Sequence, residues 1–258
     1  MHTDPLHPSS VPARPVRAAT SDRHAEELSA TSSPERGQDL AGFTLIELLI
    51  TVAVIVSLAT VAVPNYMNAK VASNEGAAIA TLRAISTAQF EFKTLGVVDR
   101  DRDGIGEFAP LGNLVGNTVP LGATQALSPP LLPPSLRIDG AGRASKAGYW
   151  FAVHLPDATG IGLPETAANA AATDPDLAEQ HWTALAWPMR HGASGLHSYF
   201  VNEQGELRKN RSARYSGTTR VPAAGAALLG TPSVQHIQGG TIATNVAGAD
   251  GHVWQVVR

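Results

Sequence analysis

The 258 residues contain no cysteine, so no disulfide can stabilise a domain of this chain outside the cytoplasm. Long loops must then be fastened by something else. Charge is also scarce: Asp, Glu, Lys and Arg make up 16% of the chain and leave a formal charge of −3. No basic block and no basic patch interleaved with aromatics occurs, which argues against nucleic acid as a partner. The first 42 residues lack apolar periodicity and carry Pro5, Pro8, Pro12, Pro15 and Pro34. Such a segment cannot bury enough surface to offset ordering entropy, and we expect it to be disordered. No internal repeat is found. What is present is a normal apolar content of 43%, enough for a real core in one or two domains.

Composition changes abruptly at Phe43. The run FTLIELLITVAVIVSLATVAV, Phe43 to Val63, is 21 residues long with Glu47 as its one charge. As a helix rising ~1.5 Å per residue it spans ~30 Å, the hydrocarbon thickness of a bilayer. A buried soluble helix is the alternative, but soluble helices rarely run this far without a polar face. Pro64 follows and should kink the helix or mark a joint. Beyond it Val71, Ala78, Leu82, Ile85 and Phe92 recur at helical spacing, with Ile79 and Leu95 widening the stripe. Lys70, Glu75, Arg83, Glu91 and Lys93 lie between them. The helix should continue to about Leu95 and end at Gly96. Its segments are then a membrane half at 43–66 and an amphipathic half at 67–96.

Residues 97–148 read as a long loop region rich in Gly and Pro, with room for a short helix around Phe108–Val115. Residues 149–258 read as β-rich and globular. Strand-like runs are GYWFAVHL at 148–155, HWTALAW at 181–187 and HSYFVN at 197–202. Glu203–Gly205 supplies a turn, after which Glu206–Arg208 can return as a partner strand. Residues 215–258 are Gly- and Ala-rich, with weak strand signals at Thr241–Val246 and Val253–Val257. Trp150, Trp182 and Trp187 fall in strand-like runs and read as core. A long helix followed by strands predicts an α+β fold, the helix laid on an antiparallel sheet.

The segment Gly42-Phe43-Thr44-Leu45-Ile46-Glu47-Leu48-Leu49 resembles the cleavage and methylation motif of type IV prepilins and type II secretion pseudopilins. The resemblance implies that residues 1–42 are a leader, cut off after Gly42 by a prepilin peptidase, and that the new N-terminus, Phe43, is methylated. It makes Glu47 the fifth mature residue, and Pro64 and Tyr66 fall where the family commonly has proline and tyrosine. More faintly, Trp187-Pro188 and the run from Gly195 to Arg208 resemble the closing hairpin of pilin-like proteins. The leader departs from the family's short, basic pattern, since Asp4, Asp22, Glu26, Glu27, Glu35 and Asp39 outnumber Arg14, Arg17, Arg23 and Arg36. Only Arg36 lies close enough to the span to favour a cytoplasmic N-terminal side.

Glu47 also has a reading of its own. About 6 Å from Phe43 along a helix axis, it can sit near a membrane boundary. In a filament of packed helices it would need a positive partner, and the freed amine of Phe43 on a neighbouring subunit is the natural one. An unpartnered interfacial carboxylate is the alternative.

Asp99-Arg100-Asp101-Arg102-Asp103-Gly104-Ile105-Gly106-Glu107 has the D-x-D-x-D-G spacing of calcium loops. Alternate carboxylates converge on one hard cation, Gly104 permits the sharp turn, the Ile105 carbonyl can be a ligand, and Glu107 can act directly or through water. The twelfth position is Pro110 rather than glutamate, so this is not an EF-hand. A solvated acidic turn, its aspartates paired with Arg100 and Arg102, is the competing reading. The pseudopilin resemblance favours calcium as a loop fastener, although that family's ligands lie elsewhere in the chain.

Other chemistry is thin. His181, His191 and His197 lack zinc spacing, Ser194 lacks a nucleophile elbow, and Gly104-Ile105-Gly106 is too short for a nucleotide fingerprint. The sequence therefore predicts a non-enzymatic filament subunit. Its partners are inner-membrane lipid before assembly, then copies of itself or other pilin-like subunits. The expected location is a single pass of the inner membrane with the C-terminal domain outside the cytoplasm. The other reading is a calcium-dependent envelope adhesin or binding module on a simple membrane anchor; a hydrolase on a signal anchor is a remoter third. Only the first needs processing at Gly42 and packing through Glu47.

Overall fold

The computed structural model describes residues 42–257. The leader segment expected at 1–42 thus lies, apart from Gly42, outside the described residues. The chain divides into a short unit ending at Leu49 and a second unit, Ile50–Arg258. One helix, α1, covers Leu45–Thr94, 50 residues. Pro64 lies inside it. Its missing N–H leaves the Thr60 carbonyl without the usual helical donor, yet α1 neither ends nor divides there. No joint falls at Pro64. The helix stops one residue before the expected end: Gly96, at φ 60°, donates to the Lys93 carbonyl at 3.0 Å, a left-handed cap that glycine adopts without strain. Leu95 is past the helix end and 59% exposed, so it does not widen the buried stripe.

Among the described residues ten strands follow: β1 Arg143–Lys146, β2 Tyr149–Pro156, β3 Gly162–Pro164, β4 Thr183–Pro188, β5 Ser198–Asn202, β6 Arg208–Asn210, β7 Leu228–Leu229, β8 Thr241–Ile242, β9 Val246–Ala247 and β10 Val253–Val256. Eight form one antiparallel sheet in the order β1-β2-β4-β5-β6-β10-β9, with β3 also on β2. Strand β7 pairs with β8 separately. The helix-then-antiparallel-sheet order is the α+β arrangement the sequence predicts.

The long loop region ends earlier than expected, because β1 falls inside it. Lys146 pairs with Tyr149 across a two-residue turn of Ala147 and Gly148, both at positive φ, the backbone a tight hairpin requires. Among the described residues two short α-helices, α2 at Leu111–Leu114 and α3 at Pro175–Ala178, and one 3-10 turn at Pro134–Leu136 complete the fold. The return strand after the Glu203–Gly205 turn begins at Arg208 rather than Glu206, since Phe200 pairs with Arg208 and Ser198 with Asn210.

Alternation along the strands separates two cores. Tyr149, Phe151, Val153 and Leu155 of β2, Ala184 and Ala186 of β4, and Tyr199 and Val201 of β5 join Ala78, Leu82, Ile85, Ala88 and Phe92 of α1. Ala78, Leu82, Ile85 and Phe92 are the stripe read from the sequence, now seated on one sheet face, while Val71 is only half-buried and lies outside this core. The opposite face carries Ala152, Leu185, Trp187 and Phe200. It is covered by the Gly- and Ala-rich C-terminal stretch through Tyr215, Ala224, Ala226, Leu228, Ile237, Ala243 and Trp254. Both faces of β4 are buried from end to end, so its near-continuous apolar sequence fits a strand covered on both sides.

His154 of β2 lies on that second face, 6% exposed, with no hydrogen-bond partner for Nδ1. Burial pushes its imidazole down from 6.5 to about 4. A base whose folded pKa is depressed adds stability that is whole above the unfolded pKa and is lost as pH falls towards the folded one. Acidification from pH 6.5 to about 4 should cost the folded state ~3 kcal/mol through this group. His154→Asn should remove that contribution. Melts of both proteins across this range should show the wild type losing stability faster than the variant; parallel curves would exclude His154 as the sensor.

Candidate functional site

The residues around the predicted cleavage point precede the helix. Gly42, Phe43 and Thr44 lie outside α1, and no atom beyond its chain neighbours comes within 4 Å of where a side chain on Gly42 would begin. Thr44 and Glu47 then form a reciprocal cap. The Glu47 carboxylate accepts from the Thr44 N–H at 2.9 Å and from its hydroxyl at 2.7 Å, while the Glu47 N–H donates to Thr44 Oγ1 at 3.2 Å. This is a capping box, which satisfies donors that a helix start leaves open. The T-x-x-E spacing was available in the sequence as a helix-start signal. Because the box uses only Thr44 and Glu47, cutting between Gly42 and Phe43 would leave it intact.

Every residue from Gly42 to Lys70 is exposed. That stretch includes Phe43, Leu45, Ile46, Leu48, Leu49, Ile50, Val52 and Ile55. Among the described residues, α1 is the one helix long and apolar enough to cross a membrane, and none of its most apolar window is buried.

Several polar residues of the second half of α1 have specific partners. Glu75 accepts from the N–H groups of Leu196 and His197 at 2.8 and 3.1 Å and lies 3.0 Å from His197 Nδ1. Partial burial raises its carboxyl, but these bonds outweigh it and hold the group below the usual carboxylate range. Asn74 donates to the Ser194 carbonyl at 2.9 Å. Gln89, fully buried, exchanges two hydrogen bonds with the Ala109 backbone at 2.7 and 2.8 Å. These contacts tie the helix to the β4–β5 connection and to the loop that follows it. They also account for the histidines and serine: His197 is taken by Glu75, His181 Nδ1 lies 3.3 Å from Glu203, and Ser194 Oγ bonds Arg190. His191 donates its backbone N–H to Ser216 instead.

The acidic loop gathers Asp99, Asp101 and Asp103 with carboxylate oxygens within 4.8 Å of one another. Asp99 accepts from Arg102 N–H and Gly104 N–H, and Asp103 from Ile105 N–H. Glu107 is elsewhere. It is buried and holds Arg100 in a two-pronged pair, Nε to Oε1 at 2.9 Å and Nη2 to Oε2 at 2.7 Å, with Nε also 2.8 Å from Oε2. Arg100 reaches on to the Thr173 carbonyl at 2.9 Å. Among the described residues no ion pair joins Arg100 or Arg102 to the three aspartates.

A second group, unmarked in the sequence, shares Asp101: its carboxylate lies within 4.8 Å of those of Asp176 and Glu179. Burial, then Asp103 and Asp101, pushes the Glu179 carboxyl up. Loss of hydration, with the carboxylates of Asp176, Asp103 and Asp99, does the same to Asp101.

No family model matches the chain, and no solved structure matches it. A stretch of 81 residues is 43% identical to the type IV major pilin protein PilA of Myxococcus xanthus strain DK1622. The chain fits a type IV pilin-like family. The matched stretch is 30% of this chain and 36% of that relative. In this chain a sheet packs on the second half of the apolar helix, and the acidic cluster lies in the loop after α1.

Proposed function

We propose that the chain is a structural subunit of a type IV pilus, made as a precursor, cut between Gly42 and Phe43 and assembled through the first half of α1. One observation carries the reading. The stretch from Phe43 to Met67, nearly all of it on α1, is predominantly apolar, exposed along its whole length, and carries the single charge of Glu47. Water tolerates so large an apolar surface poorly, and a bilayer followed by a bundle of identical helices covers it at each stage. The pilin named above supports assembly with copies of the same chain. A pseudopilus would use the same surface, so the machinery is decided by where the filament is found.

Shearing of intact cells that make this protein should release filaments containing it, visible by microscopy, with an intact mass that begins at a methylated Phe43. A pseudopilus would leave the sheared fraction empty and the processed protein in the envelope. A chain that keeps residues 1–42 and stays monomeric in the membrane would reduce the helix to a plain anchor and sink the filament reading.

A further inference from the structure

We infer that Asp101, Asp176 and Glu179, with Asp103 and Asp99 beside them, bind one calcium ion that cross-links the loop after α1 to the segment before β4. The inference stands apart from filament assembly. The three carboxylates lie within 4.8 Å of one another, and oxygens on opposite sides of one calcium ion are about 4.8 Å apart, twice a ~2.4 Å bond. Proximity alone would describe many solvated acidic surfaces. Glu179 distinguishes this one: it is only 6% exposed, its Oε1 is buried with no hydrogen-bond partner, and its carboxylate faces the exposed Asp101 and Asp176. An unpaired buried carboxylate oxygen is costly, and a cation among these groups satisfies it.

Two of the nearby protein cations, Lys93 and Arg100, are otherwise engaged. Lys93 Nζ donates to the Glu179 backbone carbonyl rather than its carboxylate and lies 5.1 Å from the Phe108 ring centre. Arg100 is held by Glu107 and the Thr173 carbonyl. All the gathered side-chain donors are carboxylate oxygens, which suits a hard cation and not zinc or copper. The exposed side of the cluster leaves room for water ligands, as calcium's six to eight positions require. Magnesium demands tighter octahedral geometry and should bind more weakly. The site differs from the sequence-level loop in its ligands, because Glu107 is replaced by two residues from a distant segment.

The test uses the full chain in detergent, stripped with a chelator and titrated with calcium or magnesium chloride by calorimetry, with melting followed in parallel. Calcium should bind one ion per chain and raise the melting temperature, magnesium less so. Asp176→Asn and Glu179→Gln should each weaken calcium binding roughly tenfold or more, since affinity in such sites follows ligand charge. Asp176 is exposed, so its variant keeps the test valid even if Glu179→Gln misfolds. Absence of calcium binding up to about 10 mM, beyond the range of extracellular calcium modules, would overturn the site. Undiminished binding in Asp176→Asn would overturn it as well, leaving the Asp99–Asp103 loop as a separate binder.

Discussion

Glu47→Val should enter the membrane and be cleaved as the wild type is, yet yield few or no filaments in the sheared fraction. Valine makes the span more apolar, so insertion is helped rather than harmed. What is lost is the one charge able to set the register of helices that are otherwise uniformly greasy. The structure adds a complication, because Glu47 also caps its own helix through Thr44. Thr44→Val separates the two roles. It removes the hydroxyl of the capping box but keeps the carboxylate, and its filaments should persist. If Thr44→Val loses filaments as completely as Glu47→Val, helix-start capping explains the defect and pairing with a neighbouring amine does not. Wild-type filament yield in Glu47→Val would favour a plain anchor. Immunoblots of sheared and membrane fractions, with microscopy, distinguish these results.

Much of the fold was legible because its signals are periodic. The apolar run, the 3.6-residue stripe through Ala78, Leu82, Ile85 and Phe92, and Gly96 as a stop place α1 to within one residue of its end. The central strands were legible as apolar runs between turns. The C-terminal stretch was not, because its residues are small rather than alternating. Its role emerges only in three dimensions, where backbone lies close against backbone. A side chain on Gly225 would begin 2.1 Å from the His236 carbonyl oxygen, and one on Gly248 2.4 Å from that of Ala226. Glycine is what lets this layer close over the sheet.

The candidate sites divide in the same way. The prepilin-like motif is contiguous and readable at once, and its T-x-x-E spacing carries a helix-start signal as well. The aspartates of the loop announce themselves by spacing. Asp176 and Glu179 do not, since no local pattern links a short helix at Pro175–Ala178 to a loop more than seventy residues before it. Glu107 misled for the complementary reason. Its spacing suits a cation ligand, but burial beside Arg100 makes a guanidinium its partner.

Gly42→Val should stop processing, with residues 1–42 retained on nearly all of the protein. Gly42 precedes the helix, and the space where its side chain would start is open, so valine is accommodated there and the fold is undisturbed. The defect would then lie in recognition at the cut rather than in folding. A glycine before the scissile bond lets the peptidase approach the backbone closely, and a β-branched side chain both blocks that approach and stiffens the bond's neighbourhood. The consequence extends to assembly. In the uncut chain the Phe43 nitrogen is an amide without charge, so a neighbour's Glu47 has no amine to meet. Gly42→Val should therefore match Glu47→Val in the sheared fraction while differing from it in mass, and Gly42→Ala, with a smaller side chain, should retain partial cleavage. Intact-mass analysis of membrane material reads the first difference and shearing reads the second. Abundant filaments built from uncut Gly42→Val protein would show that neither cleavage nor the Phe43 amine is needed for assembly.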